Sequence, residues 1–84
     1  MRKHLVIVTR RPGPETLVGD LGKSAGLVLE RIPGVWNCKL VKDTAGEATL
    51  SFETEKAERP LGLDAKLNDR GIMLIYAELC DWTP

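Results

Sequence analysis

Eighty-four residues make one domain and no more, so the chain is read as a single folding unit over 1–84. Lys and Arg number 12 and so do Asp and Glu, which leaves no net charge and argues against a protein whose work is neutralising nucleic acid or a lipid surface. A hydrophobic share of 43% beside a charged share of 29% excludes disordered, collagen-like and coiled-coil chains.

The first element is a β-branched apolar run from His4 to Arg10, bounded by Pro12-Gly13-Pro14. Its apolar residues occupy both parities, which predicts a central strand. The run from Leu5 to Val8 is too short for a secretory core or a membrane span, so a cytoplasmic protein without membrane contact is expected. Thr16 is the expected cap of helix one, whose Leu17, Leu21, Ala25, Val28 and Ile32 fall on one stripe. Pro33-Gly34 stops it.

Strand two is predicted from Val35 to Lys42, with Trp36, Cys38 and Leu40 on one face and Asn37 and Lys39 on the other. Asp43-Thr44-Ala45-Gly46 turns the chain into strand three, Glu47 to Thr54. There Ala48, Leu50 and Phe52 alternate with Thr49, Ser51 and Glu53. Helix two is expected to open at Glu58-Arg59-Pro60, to show Leu61, Leu63, Ala65 and Leu67 on its apolar side, and to end at Gly71. Strand four follows from Ile72 to Cys80.

This order, βαββαβ, predicts an α+β ferredoxin-like sandwich: four antiparallel strands in the order four-one-three-two, with both helices on one face. Cys38 and Cys80 then stand on opposite edges, roughly 14 Å apart at the spacing of strands. That exceeds the ~7 Å reach of a disulfide.

Lys23-Ser24, Leu29, the joint Pro33-Gly34-Val35, the segment Ala48-Thr49-Leu50-Ser51-Phe52 with its exit Glu55-Lys56-Ala57, and Gly71 together resemble the heavy-metal-associated domain. The resemblance implies the plait and a docking surface. That family binds soft metals through a Met-x-Cys-x-x-Cys loop before helix one, whereas Val18 and Leu21 stand here in place of the two cysteines. Metal transfer is therefore not implied for any residue. His4, Cys38, Cys80 and Asp81 are the remaining ligand types, dispersed over a strand face and two termini, and neither a metal nor a cofactor is expected. The Pro-Gly-Val joint is also similar to that of small plaits that act as chaperones of twin-arginine signal peptides.

Gly22-Lys23-Ser24 imitates the end of a phosphate-binding loop, but Leu17 occupies the position of its first glycine. Arg10, Arg11 and Gly13 after strand one, with Gly19, Gly22 and Lys23 at the start of helix one, are the candidate anion-binding residues, by similarity to the acylphosphatases. No histidine, nucleophilic cysteine or paired carboxylate completes a catalytic arrangement, so a non-enzyme is expected. Gly19, Gly22 and Gly26 recur on one helical stripe, either for close packing against helix two or as a flat docking stripe. RNA binding lacks a platform, because the outward residues of strand three are Glu47, Thr49 and Ser51 rather than aromatic rings.

The open sheet face carries the functional expectation. Strands two and three make it polar, but Leu5, Ile7, Met73, Ile75 and Ala77 make the half over strands one and four apolar. Such a surface marks an interface. The chain is expected to be a non-catalytic binding module, a homodimer or the mate of a protein partner, with a degenerate metal-handling protein or an acylphosphatase-like enzyme as the alternative.

Overall fold

Alternation along β1 (Arg2–Arg10) sets the architecture: His4, Val6 and Val8 are buried on one face, while Leu5, Ile7 and Thr9 are half-buried on the other. The computed structural model describes residues 2–80. β1 lies between β3 (Glu47–Thr54) and β4 (Ile72–Leu79), antiparallel to both, and β2 (Trp36–Asp43) pairs with the far side of β3. The sheet therefore runs β2-β3-β1-β4, which from the opposite edge is β4-β1-β3-β2. A strand with apolar side chains on both parities is central because each of its edges is paired and each face has somewhere to put them.

Helix α1 (Leu21–Glu30) places Leu21, Ala25, Val28 and Leu29 on the sheet, against Val6, Val8, Leu50 and Phe52. Burial of each large side chain contributes about 1.5–3 kcal/mol. Its cap is Asp20, not Thr16: the Asp20 carboxylate accepts from the Lys23 backbone nitrogen at 3.0 Å. The four residues before it are unavailable to the helix because Leu17 N donates to Gly71 O at 3.1 Å and Gly19 sits at φ +113°. Ile32 remains buried although it lies past the last helical turn. The stop is a Pro-Gly turn closed by Val35 N onto Ile32 O at 3.2 Å, with Gly34 at φ +85° as its third residue. Gly34 thus serves the turn rather than the helix cap.

The glycine stripe is also corrected. Gly19 is in the loop, a Cβ on Gly22 would meet Leu40 and Asp43, and one on Gly26 would meet Leu50 at 3.8 Å. These glycines face the sheet, not the second helix.

Helix α2 (Leu63–Asn68) has six residues and begins after Gly62, so Glu58, Arg59 and Pro60 belong to the segment before it and Leu61 is 95% exposed. Leu63 and Leu67 bury against the same core as α1, on the same face of the sheet. No helix among the described residues is long and apolar enough to cross a membrane.

Two register shifts interrupt β2, at Trp36/Lys39 and at Leu40/Lys42. Trp36 consequently lies opposite Glu53, an open-face residue, while Leu40 lies opposite the buried Leu50, so Trp36 and Leu40 do not share the parity expected of them.

Candidate functional site

The candidate anion residues are taken up by the chain itself. Arg10 donates from Nη1 to Leu17 O at 3.0 Å and from Nη2 to Gly19 O at 2.6 Å, so its guanidinium ties down the loop over 11–20. Arg11 pairs with Glu15 at 3.5 Å and reaches Asn68 O. The first turn of α1 already has an anion, the Asp20 carboxylate on Lys23 N, and Gly22 lies buried beneath β2. Gly13, in the loop at φ +108°, has no atom near the place a Cβ would take. Arg10, Arg11, Gly13, Gly19, Gly22 and Lys23 are not gathered around one empty cradle, and a phosphate beside Asp20 would meet a like charge.

The open face is divided by chemistry. Over β2 and β3 it holds Lys39, Thr49, Ser51 and the Asn37 side-chain amide, which donates to Glu53. Over β1 and β4 it holds Leu5, Ile7, Met73 and Tyr76, since Ile7 lies opposite Tyr76 and Thr9 opposite Met73. A register shift in β4 inserts Ile75 between Leu74, opposite Val8, and Tyr76. The parity of every later residue is reversed by it. Ala77 therefore lies opposite the buried Val6 and packs on the core, so it leaves the expected interface, which Tyr76 joins instead.

The two sheet edges differ. β2 carries Lys39 and Lys42, its two register shifts and Asn37 at φ +52°, all features that spoil further strand pairing. β4 has one register shift and no lysine, arginine or proline from Ile72 to Leu79, and Met73, Ile75, Tyr76 and Leu79 are 36%, 47%, 47% and 40% exposed.

On β4 the period-two row Tyr76, Glu78, Cys80 forms a polar cluster. Tyr76 donates to one carboxylate oxygen of Glu78 at 2.7 Å and the Cys80 thiol to the other at 3.2 Å. These bonds hold the Glu78 carboxyl below its ordinary value and push the Tyr76 phenol up. Cys80 is raised as well, by burial and by its bond to Glu78. The Cys38 thiol is raised by burial and by the nearby Glu30 carboxylate, so neither cysteine has the character of a nucleophile. Both are free, and among the described residues no group of three His, Cys, Asp or Glu side chains could hold a metal. Asp81 lies outside the described residues.

Two clefts flank the segment between β3 and α2. One, of about 460 Å³, is lined by Pro33, Trp36, Pro60 and Leu61. The other, of about 420 Å³, opens beside β4 because α2 is too short to cover Ala77 and Leu79, and His4 forms part of its wall. The imidazole, 2% exposed, stacks on Phe52 with ring centroids 5.0 Å apart and planes 8° apart, and its Nε2 lies 2.8 Å from Thr54 Oγ1. The inward parity of His4 beside Val6 and Val8 was the signal in the sequence that this residue belongs to the interior. The Arg10 anchor and the cleft had none, as both depend on where the loops lie. Comparison with family models, with curated proteins and with solved structures finds no match for this chain.

Proposed function

We propose that the chain is a ferredoxin-like plait that works by contact, and that a second copy of itself is the partner, joined edge to edge through β4. The supporting observation is the β4 edge, free of lysine, arginine and proline, whose half-exposed Met73 and Tyr76 run on from Leu5 and Ile7 of the open face while Ile75 and Leu79 lie half-exposed along the same edge. An antiparallel edge is its own complement about a two-fold axis, since the free N–H and C=O groups of one copy meet those of the other in reverse order. Apolar side chains on the edge then leave water together with the backbone. The lysines and irregular register of β2 favour β4 as the joining edge. The resemblance to the heavy-metal-associated domain enters this reading as a shared plait and docking surface, without metal transfer.

Sedimentation velocity and light scattering at high micromolar concentration test it. A dimer is expected for the wild type and a folded monomer for Ile75→Lys, with Lys39→Ile on the opposite edge leaving association unchanged. A wild-type protein that stays monomeric throughout that range overturns the reading.

A further inference from the structure

Arg10 and Arg11 are spent on the loop over 11–20, but two other arginines are not. Arg31 and Arg70 both line a groove of about 110 Å³ beside α1, whose remaining walls are Leu17, Ser24, Leu27 and Val28. Neither guanidinium has an ion-pair or hydrogen-bond partner among the described residues. Ser24, Leu27, Val28 and Arg31 stand at i, i+3, i+4 and i+7 along α1 and its C-cap, so they share one helical face. The opposite wall is fixed by the bond from Leu17 N to Gly71 O, which brings Leu17 beside Arg70.

The lining has one sign of charge. Among the described residues no carboxylate lines the groove, and the two arginines are its ionisable groups. Arg31 is the C-cap of α1 and Arg70 follows the C-cap of α2, so each stands near a helix end that carries at most about half a negative charge. A whole guanidinium charge exceeds that, and the groove stays positive. Its floor is aliphatic, since Val28 is buried, Leu17 half-buried and Leu27 47% exposed. A planar guanidinium fork suits a carboxylate, which accepts parallel N–H bonds from it. The aliphatic floor suits a hydrocarbon arm, and the volume, below the ~300–1,000 Å³ of drug-sized sites, keeps that arm short.

We propose that this groove binds a short aliphatic monocarboxylate, with its carboxylate held by Arg31 and Arg70 and its arm laid on Leu27 and Val28. A neutral amide of the same shape loses the charge-assisted bonds, and an inorganic anion loses the apolar contact. None of the lining residues belongs to β4, so the site stands whether or not the chain pairs through that edge.

The test uses the full chain with 3-methylbutanoate, its amide and inorganic phosphate as probes, read by NMR titration in low salt. Saturable shifts at the Leu27 and Val28 methyls are expected with 3-methylbutanoate, with a Kd on the order of 1 mM and binding about tenfold tighter than that of the amide. Arg31→Gln and Arg70→Gln, both at exposed positions, should each weaken binding of the acid about tenfold while the amide binds as before and the spectrum keeps its folded pattern. Lys23→Gln removes a cation of α1 that does not line the groove, and it should change the affinity by less than about twofold. Equal affinity for acid and amide, an equal loss in Lys23→Gln and Arg31→Gln, tighter binding of phosphate than of the acid, or the absence of a saturable shift at Leu27 and Val28 each overturns the proposal.

Discussion

The backbone nitrogen of Leu17 lies 3.1 Å from the carbonyl oxygen of Gly71, which also accepts from Arg11 N at 2.8 Å. One carbonyl thus closes the loop segment 11–17 at both of its ends. The loop passes so near that a Cβ on Gly71 would stand 2.4 Å from Glu15 O and from Leu17 N, and the residue itself holds φ +76°.

Gly71→Ala is therefore expected to destabilise the fold by about 2–4 kcal/mol, combining the left-handed backbone penalty with displacement of backbone that has little room to move. Gly46→Ala, where nothing lies within 4 Å of the added methyl, should cost under ~1 kcal/mol. Urea unfolding of the two variants checks the contrast. Equal midpoints would mean that the loop does not rest on Gly71 in solution.

Gly26→Ala has the opposite sign. The new methyl would make an ordinary contact with Leu50 at 3.8 Å, and alanine in the body of α1 gains about 0.8–1 kcal/mol over glycine. A rise in stability of about 0.5–1 kcal/mol is expected from thermal and urea unfolding. A loss would show that this face of α1 approaches the sheet more closely than the spacing to Leu50 allows.

The Tyr76–Glu78–Cys80 row makes a pH prediction whose sign follows from the carboxylate. Hydrogen bonds to the ionised Glu78 lower its folded value, so their stabilisation is present above the ordinary unfolded carboxylate value and is lost as pH falls through the folded one. Removing the first of those bonds with Tyr76→Phe should move the Glu78 midpoint upward, toward that of a free glutamate, in a carbon-detected NMR titration. An unmoved midpoint would show that Tyr76 does not hold the carboxylate. The cluster is open to solvent, so the effect on overall stability is small.

The elements themselves were legible in the sequence for a local reason. Ala48, Leu50 and Phe52 alternate with Thr49, Ser51 and Glu53, and that period of two follows from strand geometry alone, so β3 is found at the expected Glu47–Thr54. Leu21, Ala25 and Val28 recur at helical spacing and lie buried together. The helix boundaries were less accessible. Thr16 reads as a cap by its residue type, but Gly71, distant along the chain, claims the Leu17 nitrogen and the cap falls to Asp20. Pro60 reads as a first-turn proline, but α2 starts only after Gly62.

By itself, then, the pattern of side chains determined that two amphipathic helices and four strands share one core, because periodicity within a short stretch decides which face each element buries. Only the tertiary structure decided which parity of β4 meets solvent, since Ile75 becomes the extra residue through its register with β1, and no local pattern records a register between strands. It also decided that Arg10 ties a loop instead of waiting for an anion, and that His4 stacks on Phe52 inside the fold. Hydrogen-bond partners are set by which groups meet in space, so His4 Nε2 finds Thr54 Oγ1 at 2.8 Å across fifty residues of chain.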